Sequence, residues 1–177
     1  MLAPMLFRET HVQTPIAIRA ASQRDLATVG DLWVEMMTFH AALDARFSIP
    51  PHGRANYIRN LRNNLRDDNF RVFVAVEGRR VIGYVMGYIG ENPPIFTQQR
   101  YGFIADLCVT QVYRQRGVGE KLVTAMCDWF RRRGLENAQM NVAHGNPSSQ
   151  AFWRKIGGMD YLDHMWLDLT ERPRDGR

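Results

Sequence analysis

The run Arg114-Gln115-Arg116-Gly117-Val118-Gly119-Glu120-Lys121 joins the end of an apolar segment to the start of an amphipathic one. Two glycines among basic residues at such a junction suit anion chemistry. A helix that begins there leaves its first backbone N–H groups without intrahelical partners, and its dipole favours negative charge at that end. Gly117 and Gly119 carry no Cβ, so a bulky diphosphate can come close to the backbone. The loop is not a Walker sequence, because no glycine stands five before Gly119 and Glu120 holds the lysine position. Nor is it a complete dinucleotide fingerprint, since Leu122 sits where the third glycine belongs. Taken alone, the two glycines could also simply open an ordinary helix.

A second feature lies downstream. Asn146-Pro147-Ser148-Ser149 starts a short segment with the aromatic pair Phe152-Trp153, closed by Gly157-Gly158. These two features, their separation, and the preceding strand Ile104-Ala105-Asp106-Leu107-Cys108-Val109 together resemble the GCN5-related N-acetyltransferase (GNAT) superfamily over roughly residues 16–169. The resemblance implies a direct transfer of acetyl from acetyl-CoA to a primary amine, with no metal. It implies that backbone N–H groups of Arg114, Gln115, Arg116, Gly117, Val118 and Gly119 hold the pyrophosphate, with Glu120 and Lys121 beside it. Leu107, Cys108 and Val109 would pair with the pantetheine arm as though it were an added strand. Asn146, Ser149, Phe152 and Trp153 would flank the arm, Asn146 serving equally as a helix cap. A strand N–H polarising the thioester carbonyl is worth roughly a few kcal/mol.

Attack on a thioester requires a neutral amine. A lysine-like amine with a pKa of about 10.4 costs roughly 4–5 kcal/mol to deprotonate at pH 7, so a base is expected. Asp106 is the first candidate, because the resemblance puts it on the active-site strand. Alternation places Ile104, Asp106 and Cys108 on one face, opposite Phe103, Ala105, Leu107 and Val109. His144, just before Asn146, is a second candidate. Where the family carries a tyrosine as general acid, this chain has Trp153, whose indole cannot do that work. The departing thiol, with a reference pKa of about 8.5, is a tolerable leaving group without it. Another departure is that the usual phenylalanine after the motif's glycine, here Gly157, is replaced by Gly158-Met159. The resemblance points to the first two helices and the loop before the central strand as the acceptor side, with Glu35, His40 and Tyr84 the candidate contacts and Asp44, Pro93, Pro94 and Phe96 nearby. His40 also reads as a packing residue.

These residues need elements to position them. Ile16–Ala20 alternates as a short strand. Ser22 and Asp25 form a capping-box pair before Leu26, Val29, Leu32, Trp33, Met36, Met37 and Phe39, which recur at helical spacing. Pro50-Pro51 breaks the chain before a weaker helix over about 54–65. Strands at 72–76 and 81–89 flank the turn Glu77-Gly78-Arg79-Arg80, a hairpin. Gly83, Gly87 and Gly90 mark close approaches to the second of these. A strand at 101–109, a helix at 118–133, a strand at 139–143, a helix at 148–156 and a last strand at 161–169 complete the order. This predicts a mixed α/β single domain: a mostly antiparallel sheet of about six to seven strands with helices on both faces.

The expected domain runs over 15–170, between a loose leader (1–14) and a charged tail (171–177). The chain has 177 residues and a net charge of +5, carried almost wholly by arginine. No zinc-knuckle spacing, RNA-binding aromatic motif or bZIP-like basic region accompanies that charge, so nucleic acid is not an expected partner. No apolar run approaches the roughly 20 residues that span a bilayer, so a membrane is not expected either. Cys108 and Cys127 lie in apolar segments and read as reduced thiols in a reducing cytoplasm. The expected partners are a small-molecule or protein amine, with a homodimer admitted. The competing readings are a CoA-binding sensor with weak or no transfer, and a transferase for another acyl-CoA.

Overall fold

A computed structural model describes residues 14–170. Its elements are β1 (Ile16–Ala20), α1 (Leu26–Leu43), α2 (Gly53–Asn64), β2 (Phe70–Glu77), β3 (Arg80–Glu91), β4 (Arg100–Val109), α3 (Val118–Arg132), β5 (Ala138–Met140) and α4 (Pro147–Lys155). The expected leader, apart from Thr14, and the expected tail lie outside the described residues.

The strands form one sheet in the order β1-β2-β3-β4-β5. The first four pair antiparallel, and β5 pairs parallel to β4 through the crossover helix α3. Two apolar clusters cover its faces. Leu26, Val29 and Leu32 of α1 and Leu61 of α2 pack with Val72, Val74, Tyr84 and Cys108. On the other face Val118, Leu122, Met126 and Phe130 of α3 and Trp153 of α4 pack with Ile82, Val85 and Ile104. The close approaches expected on β3 are present: a Cβ at Gly87 would fall 3.1 Å from the Phe130 ring. Phe130 also fills the space over Gly102, so α3 lies close on the sheet where both strands lack side chains.

The entry to α1 is pinned by charge. The Asp25 carboxylate accepts from Ser22 N at 2.7 Å and Ser22 Oγ at 2.8 Å, and takes both Arg19 nitrogens at 2.8 Å. The Arg19 guanidinium holds this carboxyl well below its ordinary range.

Three expectations change. The sheet has five strands rather than six to seven, and β5 covers 138–140 rather than 139–143. The alternating segment 161–169 forms no ladder with the sheet; alternation supplies the side-chain pattern of a strand, but pairing needs an accessible edge. The third change is in β4. A bulge opposite Met86 and Gly87 sets Asp106 against Met86 and Ile104 against Gly87, with Ala105 the extra residue. Ile104 therefore packs with the α3 cluster while Cys108 packs with α1 and α2. Simple alternation had put Ile104, Asp106 and Cys108 on one face; the bulge reverses the phase between Ile104 and Asp106.

Candidate active site

The site lies where β4, α1, α2 and the starts of α3 and α4 converge. The β4–β5 ladder ends at Ile104 opposite Met140. Beyond it β4 continues through Val109 without a β5 partner, and Ala105 is exposed. This splayed edge leads to the basic loop.

That loop is built from strained and braced parts. Gln115 has φ +61 and Gly117 φ +73, both left-handed. Gly117 is the N-cap of α3, and no side chain caps that helix. The free N–H groups and the dipole of a 15-residue helix thus face outward beside Arg116 and Lys121. At Gly119 a Cβ would sit 3.3 Å from the Phe152 ring, so the second glycine lets α4 approach α3. Glu120 pairs with Lys155 at 2.6 Å and ties the two helices together.

Arg114 turns inward. Its Nε donates to the Val109 carbonyl at 2.9 Å and its Nη2 meets Glu35 Oε1 at 3.3 Å. Glu35 also accepts from Thr110 Oγ1 at 3.0 Å and the Gln111 N–H at 3.1 Å. Glu35 of α1, a candidate acceptor contact in sequence, is thus committed to bracing the loop, a role that required the fold to be seen.

Asp106 is only partly exposed and receives two phenols on one oxygen. Tyr57 Oη donates to Oδ2 at 2.6 Å, and Tyr84 Oη lies 3.3 Å from the same atom. Burial pushes the Asp106 carboxyl up, while the two hydroxyls and nearby His40 pull the other way. Burial also drives both tyrosines far above their ordinary value, so they remain donors. Tyr84 is fully buried, so the acceptor role expected for it gives way to supporting Asp106. Tyr57, on α2, has no place in the sequence-based site. A tyrosine on the apolar face of a helix must satisfy its hydroxyl, and an acid on an apolar strand must find donors; that pairing was the available signal.

His40, near the end of α1 and half-buried, feels the charge of Asp106 and has the Phe47 ring centroid at 5.4 Å and the Phe39 centroid at 5.7 Å. Its Nε2 lies 3.4 Å from Nδ2 of Asn146. Asn146 is buried and caps α4, its Oδ1 accepting from the Ser149 N–H at 3.0 Å. Ser149 therefore supports the cap through its backbone. His144 is exposed, and its carbonyl accepts from Gln150; the structure does not bring its ring to the site. Trp153 is buried in the α3-side core, edge-on to Phe152 at 5.2 Å, which makes it packing rather than a wall of the groove. Cys108 is buried, its Sγ 3.3 Å from the Leu32 carbonyl, and burial pushes its thiol up to about 12. Among the described residues no cluster of metal-ligating side chains occurs, and no helix is long and apolar enough to cross a membrane.

Comparison with known proteins gives the following. A sequence profile of the Acetyltransferase (GNAT) family matches residues 33–158. No protein of curated function matches the chain. Among solved structures, a tetramutant of the BH1408 protein from Bacillus halodurans superposes with a TM-score of 0.77 at 20% identity, over 86% of this chain and 99% of that one. Aminoglycoside N-acetyltransferase AAC(6')-Iy in complex with CoA gives 0.70 at 19% identity, over 90% and 95%. An aminoglycoside acetyltransferase, meta-AAC0020, from an uncultured soil metagenomic sample, in complex with sisomicin, gives 0.66 at 22% identity, over 87% and 96%.

Proposed function

The chain belongs to the Acetyltransferase (GNAT) family, and on that premise we propose that it transfers the acetyl group of acetyl-CoA to a primary amine. The observation that carries the reading is the uncapped start of α3 at Gly117, standing at the end of a β4 edge that β5 has left. The residues fit the co-substrate. The loop from Arg114 to Gly119 offers backbone N–H groups to a pyrophosphate, and Ala105 to Val109 offer a strand edge to an extended amide-containing arm. The thioester supplies the activated acyl group. The chain supplies binding and the charge of the partly buried Asp106.

A small-molecule amine is the proposed acceptor, supported by the structural likeness to aminoglycoside acetyltransferases. The test is calorimetric titration of acetyl-CoA, CoA and dephospho-CoA. Thiol release is then followed with a panel of sisomicin, spermidine, lysine and a peptide with a free N-terminus. Micromolar binding with thiol release supports the reading; no binding at high micromolar ligand overturns it. Binding without release from any amine selects the sensor reading, which the burial of Trp153 at the usual tyrosine position favours. Free Cys108 and Cys127 support a reducing cytoplasm.

A second copy of the chain is the proposed partner of residues 159–169. Met159, Tyr161, Leu162, Met165, Leu167 and Leu169 are each at least 76% exposed. The segment carries three aspartates and no lysine or arginine, in a chain whose net charge is +5, so it complements the body of another copy. Light scattering should give a dimer that Met165→Asp with Leu167→Asp dissolves; a wild-type monomer at tens of micromolar would exclude it.

A further inference from the structure

We infer that His40 is the catalytic residue that removes the proton from the acceptor amine, with Asp106 acting behind it. The inference rests on the transferase reading above and names a residue of that same site.

The hydrogen-bond network fixes which ring nitrogen is free. Ser149 N–H donates to Asn146 Oδ1, so the other end of that amide, Nδ2, is the one that faces His40. An amide nitrogen only donates, so the His40 Nε2 at 3.4 Å holds a lone pair. The Met36 carbonyl, one turn back on α1, favours the charged ring. With Nε2 accepting from Asn146, the neutral ring carries its one hydrogen on Nδ1. The imidazole is therefore held as the Nδ1–H tautomer, and its basic nitrogen points to the junction of α1 with the cap of α4. Asn146 is also the residue expected beside the pantetheine arm. A 3.4 Å contact is long for a hydrogen bond and is readily exchanged for a better donor, such as an incoming amine.

Asp106 has one oxygen already engaged by its neighbours. Its Oδ2 already accepts from Tyr57 and faces Tyr84, and both phenols remain protonated. What it supplies is a negative charge toward His40. The groups that face the ring are Phe39 of the same helix, Phe47 from the following turn, Asn146 from α4 and Asp106 from β4; Asp106 is the charged one. Burial lowers the imidazole below its ordinary 6.5 and the Asp106 charge offsets part of that, so the ring is neutral at pH 7 and free to accept a proton.

The step balances as follows. The amine nitrogen forms a bond to the thioester carbonyl carbon, the carbon–sulfur bond breaks, and the sulfur leaves with the electron pair as thiolate. The proton lost from nitrogen passes to His40 Nε2, and from there to the thiolate or to water.

The test uses the full chain. Nitrogen-detected titration of the imidazoles, with His40 assigned by its loss in His40→Gln, should show an Nδ1–H tautomer titrating below 6.5. In Asp106→Asn the same ring should titrate lower still. His40→Gln should bind acetyl-CoA as the wild type does, yet release thiol about a hundredfold more slowly over the same amine panel, and should lose the acid limb of the pH profile. Retained binding with turnover within about threefold of wild type and an unmoved acid limb overturns the role of His40 and leaves the transferase standing. An Nε2–H tautomer overturns it too. Failure of the wild-type chain to bind acetyl-CoA overturns the transferase reading, and this inference with it.

Discussion

Tyr57 and Asp106 join α2 to β4 through a 2.6 Å hydrogen bond. The ring that makes the bond lies flat on Trp33 of α1, with centroids 4.5 Å apart and planes 8° from parallel. One side chain thus fixes two helices and orients the carboxylate at the centre of the site.

Removing that hydroxyl tests the arrangement. Tyr57→Phe keeps the stacking and leaves Asp106 with Tyr84 as its phenolic donor. Losing a hydrogen bond to a charged group costs about 1–3 kcal/mol, read as a lower urea midpoint at an unchanged slope. The Asp106 carboxyl should titrate higher than in the wild type, since the Tyr57 bond pulls it down.

Gly117→Ala addresses the phosphate loop. A side chain at φ +73 costs about 1–2 kcal/mol. If the loop holds its conformation the loss appears in stability; if it relaxes, acetyl-CoA affinity falls by up to about tenfold. Gly119→Ala should differ, because its Cβ meets the Phe152 ring at 3.3 Å and pushes α4 from α3. Calorimetry with thermal unfolding separates the two.

Glu35→Gln should leave turnover at saturation unchanged and raise the acetyl-CoA Kd. The carboxylate braces Thr110, Gln111 and Arg114 at once. Its partners are partly exposed, so a loss of about 0.2–1 kcal/mol, a few-fold in Kd, is expected, shrinking in high salt. A rise in the amine KM alone would instead make Glu35 an acceptor contact.

Asp25→Asn should destabilise the fold by about 1–3 kcal/mol at neutral pH. The folded-state carboxyl lies below the ordinary 3.8. Its contribution is therefore complete above that value and is lost as pH falls through the depressed folded value. The wild-type and variant stabilities should converge in strong acid, measured by urea unfolding at a series of pH values.

Much of this architecture was legible in the residues. The spacing of Leu122, Val123, Met126 and Phe130 marks α3, and Gly117 with Gly119 marks the loop, because both signals are local. The Ser22–Asp25 pair marks the start of α1, although the Arg19 partnership depends on β1 lying alongside. The long-range brackets were not legible. Glu35 reaches Arg114 across 79 positions and Tyr57 reaches Asp106 across 49, and no local pattern encodes such contacts. The bulge at Ala105 escaped for another reason: an extra residue leaves each half of β4 perfectly alternating, and only the comparison with β3 shows that the halves are out of phase. Tyr161–Leu169 shows the opposite failure, a strand pattern with no ladder to join.

The extra residue in β4 also sets how this strand can change over generations. Point substitutions at Ala105 alter an exposed position, and a one-residue deletion there would leave Ile104 opposite Gly87 and Asp106 opposite Met86 while removing the bend between them. A deletion inside the regularly paired stretch from Asp106 to Val109 would instead turn the residues on one side of it to the opposite face of the sheet. Length at Ala105 can therefore change without carrying the acid to the other side of the sheet, a freedom that the paired residues after it do not share.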